Sequence, residues 1–297
     1  MKRFTEIGKF NDFLYLLGNP FMPIYYLNGG ELSILIDSGV TFTGLIVANQ
    51  IKEFGLKIPE RVLLTHSHYD HLGGIPALKR RFPEIKVAAH PRVGEILKRE
   101  NAVKLIVELN EKDEKFFGAS QTFDPAEYRF EPFEIDFYLK EGDLISLGTI
   151  SVKVLETPGH TKDSLSFYVP EIKALFFGEA GGVPDISGRI HPEFTSSYEN
   201  YLNSLKKMLS LEVEIIGLAH GGIIYGEDAR TYIEKSIKAT EECKERILQY
   251  YRESGSVEKV VERIFNEDYK KGTISQPETP YLINLKSRVR KVLEVFA

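Results

Sequence analysis

The residues with the most chemistry in this sequence run together as Thr65-His66-Ser67-His68-Tyr69-Asp70-His71. Three imidazoles and a carboxylate within six positions offer ligands to a borderline divalent cation. At the His and Asp content of this chain, the pattern His-x-His-x-Asp-His arises by chance about once in ten thousand such sequences. Imidazoles two apart on extended backbone share one face, and Asp70 and His71 in a first helical turn can reach the same space. Further candidates stand at the ends of apolar runs: His160 in Thr157-Pro158-Gly159-His160-Thr161, Glu179 after Phe176-Phe177-Gly178, and His220 ahead of Gly221-Gly222. Each is bordered by Gly or Pro, which lets backbone come close. The single cysteine, Cys243, excludes a disulfide framework and a Cys-rich zinc module. A metal here would be held by imidazole and carboxylate, the donor set of an open catalytic site rather than a closed structural one.

The elements that must position these groups are legible in outline. Short runs rich in Val, Ile, Leu, Phe and Tyr, bounded by Gly, Pro, Asn and Asp, predict strands at 24–27, 32–36, 61–65, 86–89, 150–156, 165–169, 174–177 and 214–219. Apolar spacing predicts helices over 43–54, 72–82 and 197–209. Strands mixed with helices in no strict alternation favour a layered α/β domain, where sites assemble at strand ends. Residues 91–137 interrupt the strands with a helix expected over 92–109 and a polar stretch dotted with Phe and Tyr, read either as the wall of an apolar pocket or as a satellite core. After Asp228 the strand pattern stops, and helices are expected over 229–251, 257–269 and 282–295, with joints at 254–256 and 272–280. The expected division is residues 1–228 as the layered domain and 229–297 as a helical extension packed on it.

Length and composition agree with this reading. A chain of 297 residues can bury about three quarters of its unfolded surface. Its 42% hydrophobic and 27% charged residues argue against disorder, a fibre or a membrane bundle. No run of 18 apolar residues is present, and the start carries Glu6 and Asp12, so a soluble, cytoplasmic protein without a membrane partner is expected.

In order and spacing, His66-Ser67-His68-Tyr69-Asp70-His71, Pro158-Gly159-His160-Thr161, the acidic residue after Phe176-Phe177-Gly178 and His220 resemble the metallo-β-lactamase fold superfamily. The resemblance covers about residues 13–222. It implies a four-layer αββα sandwich with the site at one edge of the two sheets. It also implies that His66, His68 and His160 hold one metal and Asp70, His71 and His220 another, with residue 179 between them. Two divalent ions are thus implied, Zn first and Fe or Mn as alternatives. Asp37, in Leu35-Ile36-Asp37-Ser38-Gly39, matches the acidic residue that orients ligands from behind. The superfamily pattern has Asp where this chain has Glu179, and the extra methylene moves the carboxylate by roughly 1.5 Å. Bridging, binding one ion, or pointing into the substrate cavity are all open to it, and Asp185 is a weaker substitute.

The chemistry so implied is hydrolysis. Paired cations would lower the pKa of a water and present hydroxide to an electrophile, with Asp70 as the catalytic carboxylate orienting it. The leading expectation is a small carbonyl substrate: an ester, lactone or thioester. His68 stands where the oxygen-reducing flavodiiron branch has Glu, which disfavours a redox role. A phosphodiesterase or RNA-processing nuclease is the second reading, although a net charge of −5 argues against a nucleic-acid partner. The clusters Lys79-Arg80-Arg81 and Lys286, Arg288, Arg290 and Lys291 read as solvated helix faces. A ligand-binding or regulatory protein with little turnover is the third, motivated by Glu179. Tyr69, His191 and Tyr225 are candidate substrate contacts, His90 reads as structural, and a homodimer is a guess from the amphipathic C-terminal helices.

Overall fold

The computed structural model describes residues 1–272, 274 and 277–297. Of the joint expected over 272–280, residues 273, 275 and 276 lie outside the described residues. Two seven-stranded sheets face each other. The first runs, in spatial order, Gly8–Lys9, Leu14–Asn19, Met22–Asn28, Ser33–Ile36, Arg61–Leu63, Lys86–Ala89 and Phe137–Tyr138. Its leading strands form an antiparallel meander, and from Ser33–Ile36 onward the pairing is parallel. The second runs Arg3–Phe4, Ile223–Tyr225, Ile215–Gly217, Ala174–Phe176, Leu165–Val169, Ser151–Glu156 and Leu144–Ser146, with one parallel pair in the middle, Ala174–Phe176 on Ile215–Gly217.

The two-residue period of a strand explains the layering. In the run Val62-Leu63-Leu64, Leu63 points between the sheets while Val62 and Leu64 point to the helices outside. In Leu175-Phe176-Phe177 the middle residue again faces inward and its neighbours outward. Strands buried on both faces read as continuous apolar runs, which is why the sequence shows them so clearly. Helices Thr43–Glu53, Ile75–Arg81 and Glu100–Phe117 cover the first sheet, and Tyr198–Leu209, Tyr232–Ser254, Val257–Ile264 and Glu278–Phe296 cover the second. This is the αββα sandwich, with the C-terminal helices sharing the core beneath the second sheet through Ile247, Val260, Leu285 and Val289.

The differences from the expected elements have local causes. The helix expected over 72–82 is two, Tyr69–Leu72 and Ile75–Arg81, broken at Gly73-Gly74. A Cβ on Gly74 would lie 2.2 Å from the Ser38 carbonyl oxygen, so the break lets the turn pack on the loop that carries Asp37. The helix expected over 92–109 is also two, Pro91–Leu97 and Glu100–Phe117, and the second stops at Gly118 in the left-handed region. Among the described residues no helix is long and apolar enough to cross a membrane.

Candidate metal centre

The chemistry-bearing residues converge on one edge of the sandwich because they follow the carboxyl ends of strands that run in one direction. Asp37 follows Ser33–Ile36, and His66 and His68 follow Arg61–Leu63. The backbone stays extended to His68 and then enters a single helical turn, Tyr69–Leu72, that carries Asp70 and His71. From the second sheet, His160 follows Ser151–Glu156, Glu179 follows Ala174–Phe176, and His220 follows Ile215–Gly217. The sheets are laced together here: the Leu165 N–H donates to the Thr65 carbonyl at 2.7 Å, and the Ser67 N–H to Asp163 at 2.8 Å. The Tyr25 hydroxyl, on the first sheet, lies 2.6 Å from the Leu218 carbonyl and 2.8 Å from that of Gly222, which fixes the turn carrying His220.

Two groups of donors result, His66, His68 and His160 on one side, and Asp70, His71, Glu179 and His220 on the other. Glu179 faces both. Its Oε2 lies 3.4 Å from His66 Nε2 and 3.6 Å from His160 Nε2, while its Oε1 lies 2.9 Å from His71 Nε2 and 3.4 Å from His220 Nε2. The rings turn these nitrogens inward because their other nitrogens are engaged behind. His71 Nδ1 is 2.8 Å from Asp37 Oδ2, His220 Nδ1 is 2.7 Å from the Phe21 carbonyl, His66 Nδ1 is 3.0 Å from the Thr65 hydroxyl, and His160 Nδ1 donates to the Glu193 carbonyl. Asp37 is locked in turn by the Thr65 N–H at 2.7 Å and the Thr65 hydroxyl at 2.8 Å. Such partners behind a ring fix its tautomer and raise its basicity as a ligand.

The electrostatics are those of a buried site that collects acid and imidazole. Burial, reinforced by His71, holds the His66 imidazole well below its ordinary pKa, and burial followed by His160 lowers His68 to about 4. Burial works in the same sense on His71, but the carboxylates of Glu179, Asp37 and Asp70 outweigh it and raise that imidazole. His220 is likewise raised against burial by its bond to Glu179. Burial alone would raise Glu179, yet His71, His66 and His160 hold it well below the carboxylate range. Glu179 is therefore anionic, as a ligand must be.

The donor set fits divalent cations. His66 Nε2 and Glu179 Oε2 are fully buried and have no hydrogen-bond partner, a costly arrangement for groups with nothing to bind. A tetrahedral ion with bonds of about 2.1 Å places its ligands about 3.4 Å apart. The separations to Glu179 bracket that figure, as do His160 Nε2 to His68 Nδ1 at 3.0 Å and Asp70 Oδ2 to His220 Nε2 at 3.6 Å. The two groups are thus consistent with a dinuclear centre.

A cavity of about 300 Å³ opens on this centre, with His68, Asp70, Glu179 and His220 at one end. Its other walls are mostly apolar, from Phe21 and Met22, from Leu105, Leu109 and Phe117 of Glu100–Phe117, and from Pro280, Tyr281 and Ile283 of the last helix, with Arg3, Asp185, His191, Glu193 and Asn284 among the polar exceptions. Both readings of residues 91–137 therefore hold in part, since Tyr128 and Phe130 pack into the outer core while Leu105, Leu109 and Phe117 face the cavity. Tyr69 lines the cavity, but its hydroxyl is held by Asp113 Oδ2 at 3.1 Å. His191 also lines it, with Nε2 3.0 Å from Asp185 Oδ2. Tyr225 is not brought to the cavity: its ring packs edge-on against Phe10 and under the Lys2 ammonium. Asp185 is no substitute for Glu179, because its Oδ1 holds the turn at Ser187 and Arg189. His90 caps helix Pro91–Leu97 through the Arg92 N–H.

The basic clusters are largely engaged within the chain. Arg80 donates to the Arg129 carbonyl, Arg81 pairs with Glu127, Lys79 with Asp136 and Lys291 with Glu294, while Arg288 is buried. Sequence reasoning missed the supporting groups: the Thr65 hydroxyl, the carbonyls of Phe21 and Glu193, and Asp163. Only Thr65, adjacent to the motif, carried a signal; carbonyls supplied by distant loops carry none.

This fold and site define a metallohydrolase-like centre on an αββα sandwich, and the profile of the metallo-beta-lactamase superfamily matches residues 23–220. The chain belongs to that superfamily. It is 26% identical over 222 residues to a metallo-beta-lactamase fold-containing protein of Sulfurisphaera tokodaii, covering 73% of this chain and 79% of that one. It is 27% identical over 232 residues to the atrochrysone carboxyl ACP thioesterase of Aspergillus fumigatus, covering 75% of this chain but only 58% of that protein. Among solved structures, a metallo-beta-lactamase family protein from Thermus thermophilus superposes with a TM-score of 0.70 at 20% identity, covering 97% of this chain and 95% of that one.

Proposed function

We propose that this chain is a metal-dependent hydrolase of esters or thioesters whose acyl group is apolar. The observation that carries the reading is Glu179 presenting one oxygen to each group of imidazoles at the end of a cavity with largely apolar walls. His66, His68, His160, Asp70, His71, Glu179 and His220 would hold two divalent ions, which when bound supply Lewis acidity and a water acidic enough to ionise near neutral pH. The residues of the chain do the rest. Asp70 lies at the cavity face with Oδ2 turned to His220, leaving Oδ1 to accept the proton of the attacking water. Leu105, Leu109 and Phe117 bind the acyl chain and keep water from it, which orients the carbonyl carbon toward Asp70. The name of the Aspergillus relative, a thioesterase, supports the acyl reading. Of the basic clusters a nuclease would need, Lys79, Arg80, Arg81, Arg288 and Lys291 are engaged within the chain, and the Glu179 that motivated a ligand-binding reading faces both donor groups.

The test is thiol release from acyl thioesters of increasing chain length by the metal-loaded protein, alongside a chromogenic phosphodiester. Each methylene that enters the cavity is worth about 0.8 kcal/mol, so kcat/KM should rise roughly fourfold per methylene until the cavity fills. Phosphodiester turnover without acyl hydrolysis, or no dependence on chain length, would overturn the reading.

A further inference from the structure

The last helix, Glu278–Phe296, is tied to the metal centre through one short segment, residues 192–197. One set of bonds joins this segment to the helix. The Arg288 guanidinium donates through Nη1 to the Pro192 carbonyl and to Glu193 Oε1, the latter at 3.1 Å, and Asn284 Nδ2 donates to Glu193 Oε2 at 3.3 Å. Arg288 and Glu193 are only 3% and 5% exposed, so the pair forms away from competing water. A second set of bonds joins the same segment to His160. The Glu193 carbonyl accepts His160 Nδ1–H, the Thr195 hydroxyl donates to the His160 carbonyl at 2.5 Å, and the Ser196 N–H donates to the Gly159 carbonyl at 3.0 Å. Gly159, at φ 138°, frees the backbone before His160 from the limits a side chain imposes, so these bonds fix where the ring stands.

The support behind the other rings comes from elsewhere. His66, His71 and His220 are backed by the Thr65 hydroxyl, Asp37 and the Phe21 carbonyl, all from the layered domain. Of these four imidazoles, only His160 has a partner that the last helix grips in turn. A carbonyl behind Nδ1 keeps the proton there and turns the Nε2 lone pair toward an ion, so a carbonyl that shifts takes the ligand with it. We infer that Arg288 is a positioning residue for the ion held by His66, His68 and His160: by clamping Pro192 and Glu193 it aims the His160 ring, which makes the C-terminal extension part of the metal centre rather than a cover over it. The inference rests on the metal-centre reading and adds which of the two ions depends on the helix.

Zinc competition against a chromophoric chelator, on the full chain, resolves the two ions, and the binding step lost in His160→Ala identifies the one in question. Removing a single charge of the buried pair would confound aim with stability, so the variant is Arg288→Met/Glu193→Gln, which removes both charges and abolishes the clamp. Its affinity for that ion should fall by about 10- to 100-fold, as for other groups behind a ligand, with the second ion held within about threefold of wild type. Glu193→Gln alone, whose amide oxygen still accepts from Arg288, should keep both ions. Wild-type affinity for both ions in the double variant, or an equal loss of both, would overturn the inference. Should that variant not fold, Asn284→Ala, at a half-buried position, decides: weakening of the same ion by at least about threefold supports the clamp, and an unchanged step overturns it. Wild-type protein that takes up no zinc would overturn the metal-centre reading along with the clamp, whereas the other failures leave wild-type binding intact.

Discussion

Replacing Glu179 by Asp restores the residue that the superfamily pattern has at this position, and the structure predicts that it will damage the site. The change withdraws the carboxylate by roughly 1.5 Å. The backbone cannot follow it forward. The Glu179 carbonyl accepts the Tyr201 hydroxyl at 3.1 Å and the Gly182 N–H at 2.9 Å. Gly178 before it sits at φ 53°, so close to Thr65 that a Cβ there would lie 3.0 Å from the hydroxyl oxygen. The separations of 2.9 to 3.6 Å between Glu179 and the four imidazoles would then grow to roughly 4.4–5.1 Å, at or beyond the reach of one ion. Two ligands of one ion, with bonds of at most about 2.2 Å, cannot stand more than about 4.4 Å apart. Each donor group would lose the oxygen that Glu179 presents to it. Removing a group that merely supports a ligand costs 10- to 100-fold in metal affinity, so losing the ligand should cost at least about 100-fold, or about 2.7 kcal/mol, per ion. Competition against a chromophoric chelator reads this directly, with Glu179→Gln as the shape-preserving comparison. A Glu179→Asp protein that keeps both ions at wild-type affinity would refute the reasoning, because it would mean that Glu179 is not what joins the two groups.

Three further outcomes follow from other parts of the fold. Arg288→Met leaves Glu193 buried and uncompensated and should lower stability by about 3–5 kcal/mol in chemical denaturation, while adding Glu193→Gln should restore much of it; a loss below about 1 kcal/mol would contradict the pairing. Burial, reinforced by Asp70, pushes the Asp113 carboxyl up to about 6, so the folded state binds that proton more tightly than the unfolded chain and is increasingly destabilised as pH rises from about 4 through 6. Asp113→Asn should therefore stabilise the protein by about 2 kcal/mol at pH 8, allowing for partial solvent screening, and by almost nothing at pH 4; equal effects at both values would disprove the assignment. Gly159 has φ 138°, and a Cβ there would lie 2.3 Å from the Tyr201 Cα, so Gly159→Ala should cost about 2 kcal/mol or more and weaken metal binding through the neighbouring His160; an unchanged Tm with normal metal affinity would count against that packing.

The parts of this molecule that the sequence made legible are those governed by short-range rules. Strands buried on both faces advertise themselves as apolar runs, and 86–89 and 165–169 are observed at their expected bounds. Seven carboxylate or imidazole candidates were each marked by a Gly or Pro neighbour or by the dense motif at 66–71, and the structure gathers them into two adjoining groups that could hold metal ions. What stayed hidden depends on contacts between distant segments. Two-residue edge strands such as Arg3–Phe4 and Val183–Pro184 have no periodicity to read and exist only through their partners. The Glu193 carbonyl behind His160 and the Phe21 carbonyl behind His220 belong to loops 33 and 199 residues away, and any residue type would supply them. Tyr225 misled because a tyrosine near a site motif is as readily a surface packing residue, and here strand pairing with Ile215 turns it to Phe10.

The hydrolase reading depends on two groups of candidate ligands, joined by Glu179, making one dinuclear centre. Elemental analysis of protein purified without a polyhistidine tag or added metal, then repeated after chelation and reconstitution, measures this most directly. Close to two divalent ions per chain are expected, falling to at most one in His160→Ala with the fold retained. One ion or none in the reconstituted wild-type protein would contradict the dinuclear centre, and would leave Glu179 as a carboxylate that only bonds to imidazoles.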